Sequence, residues 1–235
     1  MGDHQLFYAL ESVGCAAPPF TTVEAAAAYQ VAQLQRHQPS GPYYLGGHSF
    51  GGFVAFEMAQ ELGQAGANVG AVVILDTGAP TGKTQQMDEV EIILLYERLF
   101  LEEYGLDPTL TKEQLAPLAS EERLSVFKKS LSDAGVFPPN TPLDQIRGII
   151  NVASADGQAG GIYLPTEFNP LPIHLFVATD DERDEAATQA MIDGWSKYGE
   201  VTVYEVPGTH KTMMYEPHVQ VLAQKLKELL KSQSG

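Results

Sequence analysis

Gly47-His48-Ser49-Phe50-Gly51 fits the pattern G-x-S-x-G, and Gly46 and Gly52 flank it on either side. One hydroxyl set among so many glycines points to nucleophilic chemistry. A serine at a sharp strand-to-helix turn sits in a strained backbone conformation, with its oxygen exposed above the sheet. In that geometry strand and helix pass so closely that positions 47 and 51 are expected to have no room for a Cβ. The N–H of Phe50 is left to donate to an oxyanion, and the dipole of the following helix acts in the same sense. A glycine-rich turn with an incidental serine is the bland alternative. The strand-like run Tyr43 to Leu45 before it and the helix-like run Phe53 to Leu62 after it argue against that. A phosphate loop is excluded because the segment lacks both a G-K-[ST] ending and G-x-G-x-x-G spacing.

A serine nucleophile needs a base, and the base needs a group to orient it. Of the six histidines, His210 lies in "VPGTHKTMM", just past the strand-like run Val201 to Val206. Loops at the C-terminal ends of parallel strands are where open α/β sheets carry their sites. His174 falls within a strand and reads as core, and His218 reads as a helix start. His4, His37 and His48 precede the serine, and the side chain of His48 is expected to point away from the nucleophile. For the orienting acid two places remain open. One is Asp76, at the end of "AVVILD"; the other is Asp180 or Asp181, after "IHLFVAT". Each is equally readable as a solvated strand-end carboxylate or a helix cap.

These residues need a scaffold. "TTVEAAAAYQVAQLQRHQ" combines Thr21 and Glu24 at capping-box spacing with Val23, Ala27, Val31 and Leu34 at helical spacing, which predicts a helix over Val23 to His37. Strands are expected at Leu6 to Leu10, Ile173 to Ala178 and Val201 to Val206, and a buried strand at Ala71 to Asp76. Helices are expected at Glu185 to Tyr198 and His218 to Lys231. Alternating βα units argue for a mostly parallel sheet flanked by helices. Residues 82–165 carry no strand signal but three helical stretches, too long and too apolar for a connector, and read as a helical insertion over the sheet.

The bulk properties narrow the function classes. A length of 235 residues suits one domain with an insertion. The formal net charge of -16 repels phosphate backbones and sets nucleic acid aside as a partner. No apolar run reaches membrane-spanning length, and the N-terminus has no signal-peptide pattern, so a cytoplasmic location without membrane contact is expected. The single cysteine, Cys15, reads as a small apolar filler. No H-E-x-x-H or cysteine pair offers a metal site.

The stretch "QPSGPYYLGGHSFGGFVAFEMAQELGQAGANVGAVVILDTGAP", with "PGTH" and Met213-Met214 downstream, resembles the thioesterase domains that end nonribosomal-peptide and polyketide synthases. The resemblance runs from about Leu6 to the C-terminus. It implies an α/β-hydrolase fold in which residues 82–165 are the lid. It further implies that Ser49 takes an acyl chain from the phosphopantetheine arm of a carrier protein fused upstream, that His210 is the base and Asp76 the acid, and that release is by hydrolysis or macrocyclisation. No cofactor of the chain's own is expected. Asp180 and Asp181 lie in the acidic run "ATDDERDE", where water would screen a carboxylate, which also turns the expectation to Asp76. The family opens with a further strand and a glycine-containing loop that supplies a second oxyanion N–H. This chain begins at what resembles the following strand, so those elements are expected to be missing from it. A free-standing editing thioesterase or general ester hydrolase is the alternative within enzymes, and an inactive α/β-hydrolase binding module the alternative outside them.

Overall fold

The computed structural model describes residues 7–13, 18–83, 87–165, 167–180 and 183–232. The chain divides into two compact units. One comprises residues 1–10, 23–82 and 163–235, and the other residues 11–22 and 83–162.

The first unit is built on a four-stranded sheet in the order β1-β2-β3-β4, from β1 (Tyr43–His48), β2 (Val69–Leu75), β3 (Ile173–Ala178) and β4 (Val201–Val206), with every pairing parallel. Helix α1 (Val23–His37) packs on α2 (Phe50–Gln64), which follows β1 directly. All six residues of β3 are buried, whereas at the sheet margins β1 alternates over its first four residues and β4 buries only Val206. Right-handed crossovers that advance steadily across a sheet place their helices on one face. Phe56 of α2 and Trp195 at the end of α7 (Glu185–Trp195) accordingly meet with ring centroids 5.4 Å apart. The opposite face, formed by Val73, Leu75, Phe176, Ala178 and Val206, packs against Leu222 and Leu229 of α8 (His218–Ser232).

The second unit contains α3 (Glu89–Glu103), the single turn α4 (Lys112–Leu115), α5 (Ser120–Asp133) and α6 (Leu143–Ile162) around a core of its own that includes Ile93, Leu101, Phe127, Leu131, Ile146 and Ile150. Glu97, fully buried, accepts hydrogen bonds from the N–H groups of Thr109 and Leu110 and from the hydroxyls of Thr109 and Ser130. A buried carboxylate is tolerable only with such a set of donors, and this one pins the connection between α3 and α4.

Three expectations are corrected. Residues 7–10 form no strand, and Phe7 and Tyr8 are more than half exposed; Leu6 lies outside the described residues. Helix α1 begins at Val23, which puts Thr22 rather than Thr21 at the cap position and takes Glu24 out of capping-box register. Helix α7 stops at Trp195, three residues short of Tyr198.

The turn at Ser49 also corrects the steric reading of its glycines. A Cβ on Gly47 would lie 1.9 Å from the carbonyl oxygen of Gly51, a backbone atom that cannot yield, but a Cβ on Gly51 would meet nothing within 4 Å. The crowded partner is Gly52, whose Cβ would fall 3.0 Å from Thr77 Oγ1. Gly47→Ala is therefore expected to destabilise the protein by on the order of 3 kcal/mol or to prevent folding. Gly51→Ala, inside a helix with open space around it, should be neutral or stabilising by about 0.5–1 kcal/mol. Urea midpoints of the two variants check this, and equal losses would show that the second glycine of the pattern is sterically required after all.

Candidate active site

Strand register sets the site. His48 pairs with Leu75 and Leu75 with Phe176, so Ser49 and Asp76 each stand one step past the paired residues at the same rim of the sheet. The N–H of Ser49 donates to Leu75 O at 3.3 Å and that of Asp76 to Phe176 O at 2.8 Å. Both residues have positive φ, 54° for Ser49 and 52° for Asp76. Side chains other than glycine reach this region at a cost of about 1–3 kcal/mol, which surrounding structure must offset. At Ser49 the conformation turns the chain out of β1 and straight into α2. Phe50 is the first residue of α2, so its N–H lies ahead of the helix's own hydrogen-bond ladder. Among the described residues, Ser49 Oγ has no hydrogen-bond partner; contacts of this kind commonly tighten only when substrate arrives.

His210 follows β4 and comes to the same rim. Its Nδ1–H donates to Asp76 Oδ2 at 2.8 Å and lies 3.0 Å from Asp76 O. This bond assigns the proton to Nδ1 and leaves Nε2 as the basic nitrogen. The Asp76 side chain is wholly buried, whereas that of His210 is 41% exposed. Burial pushes the Asp76 carboxyl up, but hydrogen bonds from His210, from Arg183 and from the Ala178 N–H outweigh it and hold the group far below the usual carboxylate range.

The loop that carries His210 is tied to the end of β3. Asp180 N–H donates to Gly208 O at 3.0 Å, and Gly208 N–H donates back to Asp180 Oδ2 at 2.8 Å. Asp180 thus holds the backbone of the histidine loop rather than the imidazole, and Asp181 lies outside the described residues. His174 is buried in β3 with Nδ1 3.3 Å from Tyr204 Oη, and burial lowers its pKa. His218 opens α8, and His37 stacks on Tyr8 with centroids 6.3 Å apart. His4 and Cys15 lie outside the described residues. Among the described residues, no group of three or more His, Cys, Asp or Glu could hold a metal ion, and no helix is long and apolar enough to cross a membrane.

Three residues of the site were not read from the sequence. His48 does not simply point away. Its ring packs on that of His210 with centroids 4.4 Å apart, and its Nε2–H donates to His210 O at 2.6 Å. Burial, and then the neighbouring His210, lower its pKa, which keeps it neutral. Thr77 is buried, and its hydroxyl shares one proton between Ser49 O at 2.9 Å and Leu75 O at 3.1 Å. It locks the serine turn to the acid turn, and Trp195 Nε1–H fixes Thr77 O in turn at 2.7 Å. Arg183 grips Asp76 with both terminal nitrogens, at 3.0 and 2.8 Å. Its only sequence signal is a lone arginine in an acidic run just past a strand.

The depressed pKa of Asp76 makes a stability prediction. A carboxylate that titrates lower in the folded than in the unfolded chain contributes stability above its unfolded pKa, about 3.9. That contribution is lost as pH falls toward the folded value. At pH 7, Asp76→Asn should cost about 3 kcal/mol, because it removes the buried charge that the Arg183 guanidinium and the His210 imidazole converge on. The gap to wild type in urea unfolding should narrow steadily below about pH 4. A gap independent of pH would mean that Asp76 carries no folding-linked charge.

Comparison with known proteins agrees with this architecture. The chain is 28% identical over 235 residues to chondramide synthase cmdD of Chondromyces crocatus, covering 97% of this chain but 6% of that protein. It is 28% identical to the inactive atromentin synthetase invA3 of Paxillus involutus, over 91% of this chain and 23% of the relative. The chain thus spans only a small part of these curated relatives. Among solved structures it superposes on AB3403, a four-domain nonribosomal peptide synthetase, with a TM-score of 0.83 and 28% identity, over 94% of this chain and 17% of that one. The Vlm2 thioesterase domain shares the fold, with a TM-score of 0.62 at 22% identity over 92% of this chain and 80% of that one. The fold is therefore that of the thioesterase α/β-hydrolases. Residues 3–230 match the family model for the thioesterase domain, and the chain belongs to that family.

Proposed function

We propose that the chain releases an acyl, peptidyl or polyketide chain from the phosphopantetheine arm of a carrier protein, within a multidomain synthase, through an acyl-Ser49 intermediate. The observation that carries the reading is the bond from His210 Nδ1–H to the buried Asp76 carboxylate, at the rim where Ser49 is held at positive φ. Ser49 Oγ attacks the thioester carbonyl and its proton passes to His210 Nε2. The carbonyl oxygen becomes an oxyanion facing the Phe50 N–H at the N-terminus of α2. Collapse breaks the C–S bond, and His210 returns the proton to the leaving thiolate. Water, or a hydroxyl or amine within the acyl chain, then attacks the ester with His210 as base. Water gives the acid and an internal nucleophile gives a macrocycle, and Ser49 is regenerated in both. The chain needs no cofactor of its own for these steps, since the arm delivers the acyl group.

Fluorophosphonate labelling tests the nucleophile directly. Wild type should be labelled at Ser49, and Ser49→Ala should be folded, unlabelled and without turnover of an acyl-phosphopantetheine thioester. Label on another residue would overturn the assignment. In the same assay Asp76→Asn should lose turnover on the order of 10⁴-fold, and Asp180→Asn less than about tenfold. The reverse ranking would move the orienting acid to the loop after β3.

Charge bears on the partner. Acidic carrier proteins would gain no long-range attraction from a chain of net charge -16. A covalent linker overcomes this by raising the effective concentration to about millimolar. The separate domain should therefore turn over small thioesters better than a carrier protein supplied in trans, and fusion should restore the carrier's advantage. Equal rates in trans and in the fusion would count against the linked arrangement.

A further inference from the structure

The Asp76 carboxylate is gripped on every side. Oδ1 accepts from Ala178 N–H at 2.9 Å and from Arg183 Nη1 at 3.0 Å. Oδ2 accepts from Arg183 Nη2 at 2.8 Å and from His210 Nδ1 at 2.8 Å. The guanidinium therefore meets both oxygens fork to fork, and one oxygen is shared between the arginine and the histidine. Asp76 itself cannot set this geometry. The final torsion of an aspartate is broad, and the backbone N–H of Ala178 fixes only one oxygen.

We propose that Arg183 is a positioning residue of the Ser49–His210–Asp76 system, its bidentate grip locking the carboxylate plane so that Oδ2 meets His210 Nδ1 in line. The inference rests on the serine-hydrolase reading given above. Planar two-point recognition of a carboxylate is what a guanidinium supplies and an ammonium does not. Arg183 stands just ahead of α7, whose N-terminus is capped by Asp184 through the Ala187 N–H. Its side chain is 18% exposed and that of Asp76 is fully buried, so the pair is shielded from solvent.

The grip has an electrostatic side. A carboxylate with one partner stabilises the imidazolium that forms as Ser49 is deprotonated. A carboxylate already paired with a guanidinium does so less, and the guanidinium itself repels the imidazolium. Arg183 thus gives up part of the carboxylate's pull on the imidazolium in return for a fixed orientation. The other groups around the imidazole do not reproduce this effect. His48, whose ring lies 4.4 Å away at the end of β1, is kept neutral. Asp180 is engaged with the Gly208 N–H of the histidine loop, and His218 is its neighbour at the start of α8. Lys211 follows His210 in the chain, and Asp181 and Glu182, ahead of Arg183, lie outside the described residues.

The test compares Arg183→Lys and Arg183→Gln with wild type. Thermal unfolding, the rate of fluorophosphonate labelling, and the pH profile of kcat/KM on a small acyl thioester are measured. For Arg183→Gln, kcat should fall about 10- to 100-fold, as expected when a reacting group is misplaced by an ångström or less, with KM within about threefold. The acid limb of the kcat/KM profile should move to higher pH, since a neighbouring positive charge has been removed. Arg183→Lys keeps the charge without the fork, so it should hold the wild-type titration yet lose a similar part of kcat. Labelling rates should follow kcat in both variants. If Arg183 served folding alone, the folded fraction of each variant would keep the wild-type kcat and pH profile, and the proposal would be overturned. Should one variant fail to fold, the other still decides on kcat. A wild-type chain that resists the fluorophosphonate altogether would sink the serine-hydrolase reading, a result distinct from labelling that proceeds but is indifferent to position 183.

Discussion

One buried negative charge organises this molecule. The Asp76 side chain has no exposure to water, and a carboxylate in that position is stable only if several donors converge on it. The donors to Asp76, in the turn after β2, come from three separate places in the chain: the end of β3 through Ala178 N–H, the segment before α7 through Arg183, and the loop after β4 through His210. Satisfying the charge therefore brings three loops at the C-terminal ends of adjacent parallel strands to one point. The imidazole is placed by the same interaction that keeps the carboxylate ionised.

Ser49 joins this hub through the backbone. The hydroxyl of Thr77, next to Asp76 in sequence, holds Ser49 O, and the indole of Trp195 holds Thr77 O. Ser49 and Asp76 both sit at positive φ, and each is over-determined: by the Gly47 contact with Gly51 at the serine, and by the ring of donors at the aspartate. Strain at both turns is retained because neighbouring strands in fixed register leave no other path between the sheet and the elements that follow.

Much of this was legible in the sequence. Strand-like runs located β3 and β4 at their observed limits, and helical spacing located α1. The serine pattern marked its turn because the backbone demand there is local. What stayed hidden was long-range or overruled by packing. Arg183 looked like one more solvated charge in an acidic run; its partner is 107 positions away, and local composition carries no trace of that pairing. The side chain of His48 depends on a loop 162 residues downstream. Helix α6 continues through Gly157, Gly160 and Gly161 to Ile162, because buried Ala155, Ala159 and Gly161 pack where propensity alone would end it. The apolar run at 7–10 looked like a strand, but alternation alone cannot make one without a partner to pair with.

The helical unit formed by α3 to α6 keeps its own apolar core, and its buried Glu97 is satisfied from within. Its folding requirements are thus largely separate from those of the sheet and the loops at its rim. Over evolutionary time the two parts answer to different constraints. Exposed positions on α3, α5 and α6 are free to drift, since replacing them disturbs neither the register of β1 to β4 nor the ring of donors around Asp76. A single scaffold can in this way vary the sequence of one part while the hydrogen-bond network around Asp76 in the other keeps its own donors.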